Sequence, residues 1–123
     1  APGEKTGGTL LAEAPPAAGN GRQLLLGHCD TVWPLGTLNQ MPLGISDGIV
    51  RGPGAYDMKA GLVQGIFALR ALRDLGLDLP LAPVFLVNSD EEIGSYESRD
   101  MIETQARLAK RALILEPAFG PTG

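Results

Sequence analysis

The sequence has few of the features on which disulfide-rich, membrane-spanning and nucleic-acid-binding proteins depend. A single cysteine, Cys29, stands among 123 residues and excludes an intrachain disulfide framework. No apolar stretch approaches the roughly 18 residues that would cross a bilayer. The 14 acidic residues exceed the 10 basic ones, and a pI of about 4.8 gives no sign of a nucleic-acid surface. We therefore expect a soluble protein without nucleic-acid or membrane partners, located in the cytoplasm or the periplasm.

The composition that is present is typical of a globular domain. Apolar residues make up 44% and charged residues 20%, and the length corresponds to about one domain or part of one. The first eight residues are rich in glycine and charge, so we expect a frayed lead-in. Prolines and glycines between residues 14 and 22 predict a long loop. Residues 37–46 allow no clear assignment.

One apolar segment is followed at once by a cluster of acids. Residues 84–87 are β-branched or aromatic enough to predict a strand that is buried on both faces, in the middle of a sheet. Asp90, Glu91 and Glu92 then fall at the rim of that sheet, where open α/β folds hold ligands. A cation, a proton or backbone donors would offset their repulsion. Alternatively, the three acids form a solvated turn, with one of them capping the next helix.

A histidine lies at the end of another apolar segment. Residues 9–13 and 23–28 predict a hairpin with a longish loop, and the second strand continues through His28 to residue 32. Alternation places His28 and Asp30 on the same face. This pair suits a metal ligand and the acid that orients it. The alternative is a core histidine whose hydrogen bonds are satisfied by a nearby acid.

Helical and strand patterns alternate in the remainder. A short strand is predicted at 49–52, a helix at 58–75 with Asp57 at its N-cap, and a helix from 98 or 99 to 110 with Ser98 as its cap. Gly61 and Gly65 would let the first helix approach the sheet closely. A buried strand at 112–115 ends at Glu116. This order predicts an α/β sheet with a large parallel component.

The strand ends together indicate a metal site. Three apolar strands each end in a possible ligand, and Asp57 adds a fourth at a helix start. The other candidates are His28, Glu91 or Glu92, and Glu116. Histidine with carboxylates, without thiolate, suits zinc, cobalt or manganese in a catalytic site. The surplus of carboxylates suggests two metals sharing a water, with an acid that is not a ligand moving the proton.

Three stretches resemble the signatures of the M20 family of zinc peptidases, in the family's order and spacing. They are His28-Cys29-Asp30-Thr31-Val32, Gly54-Ala55-Tyr56-Asp57-Met58-Lys59 and Asp90-Glu91-Glu92-Ile93-Gly94-Ser95. The resemblance covers residues 9–123. Ser98-Arg99-Asp100 and Leu115-Glu116-Pro117 make the chain most similar to the glutamate carboxypeptidase branch of the carboxypeptidase G type. The resemblance implies a three-layer αβα sandwich with a mostly parallel mixed sheet, of the phosphorylase/hydrolase-like kind, present as a partial domain.

The resemblance also implies a role for each site residue. His28 would bind the first of two zinc ions, with Asp30 orienting it and Glu116 completing that ion's ligands. Asp57 would bridge both ions, and its bond to Met58 would be cis, as in many family members.

Two further roles follow from the same resemblance. Glu91 would be the general base, and Glu92 would bind the second zinc. The residues themselves do not decide which of these two glutamates is the base. In the family the second ion also takes a histidine from late in the chain, whereas His28 is the only histidine here.

The same resemblance predicts the domain organisation. Residues 1–123 would be the first half of the catalytic domain, without the lid and dimerisation domain or the second catalytic half. The parent would be a homodimer through that lid. This piece alone would hold one zinc ion and be close to inactive.

The expected activity is hydrolysis of an amide next to a free carboxylate. The substrate would be a small peptide ending in glutamate, or another N-acyl amino acid. Two alternatives stay open: a deacylase of the acetylornithine or succinyl-diaminopimelate type, and a non-catalytic α/β binding module.

Overall fold

The computed structural model describes residues 1–15 and 21–120. Residues 16–20, which belong to the predicted loop of 14–22, and residues 121–123 lie outside this description. The strands are β1 (Leu10–Glu13), β2 (Arg22–His28), β3 (Gly44–Ser46), β4 (Ile49–Arg51), β5 (Ala82–Asn88) and β6 (Ala109–Ile114). The helices are α1 (Ala60–Asp74) and α2 (Arg99–Leu108). Neither helix is long and apolar enough to cross a membrane, which is a finding about the described residues alone.

Four strands form one mixed sheet in the order β1-β5-β2-β6. β5 and β6 both run parallel to β2, while the edge strand β1 is antiparallel to β5. The register pairs His28 with Asn88, the last residues of β2 and β5. The carboxyl ends of the parallel strands therefore open onto the same edge of the sheet. The predicted α/β class with a mostly parallel mixed sheet is confirmed.

The two helices cover opposite faces of this sheet. Leu24, Val84 and Leu86 are buried on one face, and Met101 and Ile102 of α2 pack against them. Burying one such leucine side chain contributes about 1.5–3 kcal/mol. The alternate residue Phe85 points to the other face, where it lies near Gly65 of α1. The result is the three-layer αβα arrangement that the resemblance implied.

Close approach of α1 to the sheet depends on two glycines. A Cβ atom at Gly61 would overlap the backbone carbonyl oxygen of Leu115, and one at Gly65 would come within 2.9 Å of the Leu115 Cδ1 atom. Leu115 follows β6 and donates its N–H to the carbonyl of Leu26 on β2. The predicted role of Gly61 and Gly65 is therefore confirmed.

The predicted hairpin of residues 9–28 is wrong. β1 and β2 are not neighbours, because β5 lies between them and pairs with both. Such a placement needs a connection that spans two strand spacings, about 10 Å, and residues 14–21 are enough for this. Local sequence predicted both strands but not their partners.

The strand predicted at 49–52 does exist as β4, but it lies outside the main sheet. β4 pairs with β3 in a separate two-stranded ribbon. Asp47 and Gly48 connect them with positive φ angles of 52° and 74°, as a tight hairpin turn requires. The sheet predicted from the strand–helix–strand order therefore included β4, which the main sheet does not contain.

The last predicted strand is longer and more exposed than expected. β6 starts at Ala109, where α2 has just ended, and five of its six residues are exposed. The strand predicted at 112–115 is therefore confirmed as far as Ile114, but its predicted burial is wrong. Its sheet partner among the described residues is β2 alone, so one edge and much of its surface stay open.

The two predicted helix caps differ in outcome, and the one at Asp57 is wrong. A π-type turn, Ala55–Lys59, precedes α1, and Asp57 inside it has non-helical angles and makes no cap. The Asp57–Met58 peptide bond is cis, as the resemblance implied. Ser98 does occupy the N-cap position of α2, but its hydroxyl makes no cap hydrogen bond and donates to the Asp90 carboxylate instead.

The expected frayed lead-in is folded. The carboxylate of Glu97 accepts hydrogen bonds from the N–H groups of Glu4 and Lys5, at 3.1 and 2.8 Å, and from the Thr6 hydroxyl at 2.8 Å. These three donors dock the first residues onto the loop that precedes α2.

Candidate metal centre

Four segments bring their polar side chains to the carboxyl edge of the sheet. His28 is the last residue of β2, and Glu91 and Glu92 lie in a short 3₁₀ turn after β5. Glu116 follows β6, and Asp57 lies in the turn ahead of α1. Because β2, β5 and β6 are parallel, their ends deliver these residues to one place.

The His28 ring is the centre of this group. His28 is 1% exposed, and its Nε2 atom faces three carboxylates. Asp57 Oδ1 lies at 3.2 Å, Glu116 Oε1 at 3.4 Å and Glu91 Oε2 at 3.8 Å. The three carboxylates are 38–55% exposed, so the site is open on the side away from the sheet.

The other ring nitrogen faces Asp30. His28 Nδ1 lies 3.1 Å from the Asp30 carbonyl oxygen and 3.3 Å from its Oδ1 atom. The second carboxylate oxygen, Oδ2, accepts the N–H of Glu92 at 3.0 Å. Asp30 thus joins the turn that follows His28 to the turn that carries Glu92. Oδ1 itself is buried without a hydrogen bond of good geometry.

Both nitrogens of the ring therefore face acceptors. A neutral imidazole has one N–H, and the pair of acceptors at Nδ1 favours its placement there. The lone pair of Nε2 would then point at carboxylates that have no hydrogen to donate. Either a second proton or a cation would satisfy this arrangement.

The electrostatics of the site lead to the same conclusion. Burial acts to lower the pKa of His28, but the carboxylates of Glu116, Asp30 and Glu91 outweigh it, and the pKa is raised. The pKa of Glu116 is also raised, first by burial and then by repulsion from Asp57 and Glu91, although His28 opposes this. The group holds more negative charge than it neutralises internally.

The donor set fits a divalent metal. Ligand atoms of His28, Asp57 and Glu92 lie within 4.8 Å of one another, and so do those of His28, Glu91 and Glu116. One imidazole with several carboxylates is a donor set for zinc and similar ions, and a positive charge would relieve the repulsion just described.

The structure thus brings together all six residues that the sequence singled out. His28, Asp57 and Glu116, predicted to share the first zinc, meet at Nε2. Glu91 and Glu92 both reach the group from one turn, so their division into base and ligand stays a prediction, like the other assigned roles.

Asp90 is a residue whose role the sequence left open. It is 2% exposed and accepts the Ser98 hydroxyl at 2.6 Å, the Ser98 N–H, the Glu97 N–H and the Asn88 side-chain amide. Burial opposes ionisation, but the hydrogen bonds led by Ser98 hold the pKa of Asp90 below its usual range. One acid of the triplet thus stabilises the start of α2, while the other two face the site.

Two clefts border the site. One, of about 390 Å³, lies between α2 and the sheet and is lined by Glu91, Ser95, Arg99, Ile102 and Glu116, among others. The second, of about 200 Å³, is lined by residues that include Thr31, Trp33, Tyr56, Asp57 and Glu92. Each cleft reaches acids of a different candidate triad, so a small molecule could approach the centre from two sides.

Sequence comparison agrees with this geometry. Residues 24–121 match the profile of Peptidase family M20/M25/M40. The chain is 37% identical over 94 residues to carboxypeptidase G2 of Pseudomonas sp. (strain RS-16), an alignment that covers 76% of this chain and 23% of that protein.

Solved structures share the fold. The M20 family metallo-carboxypeptidase Sso-CP2 from Sulfolobus solfataricus superposes with a TM-score of 0.75 and 26% identity, covering 98% of this chain and 29% of that one. Human carnosine dipeptidase 1 gives a TM-score of 0.70 and 27% identity, covering 86% of this chain and 24% of that one. The chain thus spans about a quarter of the length of these relatives.

The αβα fold places an imidazole and several carboxylates at the carboxyl edge of its sheet, and this donor set fits a divalent metal. The profile match covers most of the chain, and similarity in sequence and in structure points the same way. The chain belongs to peptidase family M20/M25/M40.

Proposed function

We propose that the whole protein hydrolyses an amide bond next to a free carboxylate, at a centre that holds two zinc ions. The observation that carries this proposal is the buried His28 ring, whose Nε2 atom faces Asp57, Glu91 and Glu116 within 3.8 Å. A structural histidine would need one acceptor there. Three acceptors form an anionic cluster that is suited to a cation.

The proposed ligands are His28, Asp57, Glu92 and Glu116, with Asp57 bridging. Cobalt or manganese would suit the same donors. A bound ion of this kind supplies Lewis acidity and lowers the pKa of water. Asp30 holds the His28 ring through Nδ1, which leaves Nε2 directed at the ligand cluster.

Glu91 is the proposed general base. Its carboxylate is 48% exposed and lies 3.8 Å from His28 Nε2, where it borders the larger cleft. It can therefore approach both the centre and a substrate, and an ionised carboxylate can accept a proton from a nucleophilic water.

The proposed substrate is a small peptide ending in glutamate or a similar N-acyl amino acid. The name of carboxypeptidase G2 and the description of Sso-CP2 as a metallo-carboxypeptidase support cleavage next to a C-terminal carboxylate. The predicted homodimer, formed through a lid domain, belongs to the same proposal.

A Glu91→Gln change in the whole protein tests the catalytic role. We expect kcat on an N-acyl glutamate to fall by about 10²–10⁴-fold, because glutamine keeps the shape but accepts no proton. Esterification of the substrate's free carboxylate should abolish turnover by the unchanged protein.

The matched control is Glu13→Gln. Glu13 lies on the edge strand β1, and its exposed carboxylate pairs with Arg22 at the start of β2. Its kcat should equal that of the unchanged protein. A loss of less than tenfold for Glu91→Gln would mean that Glu91 is not the base. Turnover of the esterified substrate would remove the carboxylate requirement.

A further inference from the structure

Two residues that directly follow Asp57 reach back to the end of β2. Met58 is fully buried, and its Sδ atom accepts the backbone N–H of His28 at 3.0 Å. Lys59 Nζ donates to the backbone carbonyl oxygen of Cys29 at 3.1 Å. Consecutive side chains of the π-type turn thus hold the N–H of His28 and the C=O of the next residue.

Gly54 lies beside the ammonium group of Lys59. A Cβ atom at Gly54 would come within 2.7 Å of Lys59 Nζ and 2.5 Å of Thr31 Cγ2. Gly54 also has a φ of 70°, which favours glycine. The absence of a side chain at Gly54 therefore leaves room for the Lys59 ammonium group beside the turn after β2.

The contact joins the two segments whose side chains meet at His28 Nε2. Lys59 belongs to the segment that carries Asp57, and Cys29 lies between His28 and Asp30. Met58 holds the N–H of His28, and the N–H of Cys29 donates to the carbonyl of Asn88 on β5 at 2.9 Å. Lys59 holds the Cys29 carbonyl, so that both backbone polar groups of Cys29 have a partner just beyond the end of β2.

We propose that Lys59 is a positioning residue of the metal centre, which fixes the His28–Asp30 turn against the Asp57 turn by holding the Cys29 carbonyl. Its effect on metal binding rests on the proposed function. The proposed effect of Lys59 on the His28 ring does not rest on it, because the hydrogen bond between Lys59 and the Cys29 carbonyl forms within the chain itself.

The test replaces Lys59 by methionine, which keeps the length of the side chain and removes its donor. His28 is the only histidine of the chain, so the ring nitrogens of ¹⁵N-histidine-labelled protein give one set of NMR signals. Without added metal, we expect Lys59→Met to shift or broaden both ring signals. Lys59→Arg, which can still donate to the carbonyl, should restore them.

Lys5→Met is the matched control, because Lys5 is exposed and its known hydrogen bond uses only the backbone N–H. It should leave the ring signals unchanged. Lys59 is itself exposed, so its replacement leaves no cavity, and Lys59→Gln provides a second neutral variant. Ring signals identical to those of the unchanged chain in both neutral variants would overturn the proposal.

Metal binding provides the second readout. Competition between the chain and a chelator for Co²⁺ should show affinity lowered by about 10–100-fold in Lys59→Met, as for other groups that orient ligands, and recovered in Lys59→Arg. Equal affinity in Lys59→Met and the unchanged chain would contradict the proposal. Failure of the unchanged chain to bind Co²⁺ would instead contradict the proposed function, while the ring signals would still test Lys59.

Discussion

At the scale of single residues, the site depends on what surrounds one imidazole. Side-chain alternation predicted that His28 and Asp30 would share a face of a strand. In the structure β2 ends at His28, and Asp30 reaches Nδ1 through both its carbonyl and its carboxylate. The pairing was therefore predictable from spacing, whereas its geometry depends on a turn that no local pattern indicated.

The acidic triplet, residues 90–92, was likewise predictable only in part from the sequence. Its three members have different roles, because Asp90 is enclosed by donors from Glu97 and Ser98 while Glu91 and Glu92 face the centre. Sequence alone gave two alternatives for the whole triplet. The choice for each acid depends on which backbone N–H groups the following loop brings within reach.

Glu97 gives a prediction about pH at this scale. The Thr6 hydroxyl, with the N–H groups of Lys5 and Glu4, holds the pKa of Glu97 below its usual range, against a smaller effect of burial. A lowered pKa in the folded chain means that ionised Glu97 stabilises docking of residues 1–8 above its ordinary pKa of about 4.3. That stabilisation is lost as the pH falls through the lowered value.

We therefore expect the amide signals of Glu4 and Lys5 to move together in NMR spectra between pH 6 and pH 2, with a midpoint below 4.3. Glu97→Gln should remove this transition, whereas Glu103→Gln on the exposed face of α2 should keep it. A midpoint at or above the ordinary value, or a transition that survives Glu97→Gln, would show that Glu97 does not anchor this segment.

At the scale of helices and strands, pattern predicted the elements better than their partners. The apolar run at 84–87 became part of β5, whose residues facing α2 are fully buried while those on the other face are only half-buried, so the predicted burial holds fully on one face. The pairing of β1 with β5 joins residues far apart in sequence, so a local pattern favoured the wrong neighbour, β2. The start of α1 moved to Ala60 because residues 55–59 form the turn that carries Asp57.

The glycines of α1 give a graded prediction at this scale. Gly61→Ala should destabilise the fold by about 1–3 kcal/mol or more, because the new methyl group meets the Leu115 backbone, which cannot rotate away. Gly65→Ala should cost less, because it meets only the end of the flexible Leu115 side chain. The higher helix propensity of alanine offsets part of each loss.

Urea unfolding of the variants measures this order. Gly44→Ala is the control, because a Cβ atom there would have no neighbour within 4 Å and the backbone angle is not in the left-handed region. Its free energy of unfolding should stay close to that of the unchanged chain. If Gly61→Ala were as stable as Gly44→Ala, α1 would not pack against the Leu115 backbone as described.

At the scale of the whole molecule, the parallel strands explain why distant residues meet. Their carboxyl ends share one edge of the sheet, so the sequence could predict that His28, Glu92 and Glu116 would gather there. It could not predict that Nε2 would face Asp57, Glu91 and Glu116 together, because that depends on the turns beyond the strands. Likewise, the open edge of β6 follows from its place in the sheet and not from its apolar sequence.

The central claim is that His28 and the surrounding carboxylates hold a divalent metal. X-ray absorption at the zinc edge, on the chain loaded with one equivalent of Zn²⁺, tests it most directly. We predict one imidazole nitrogen and several oxygen ligands at about 2.0–2.2 Å, with weaker zinc binding in Asp57→Asn. A sulfur ligand near 2.3 Å, which only Cys29 or a methionine could supply, or binding that does not depend on Asp57, would contradict the account.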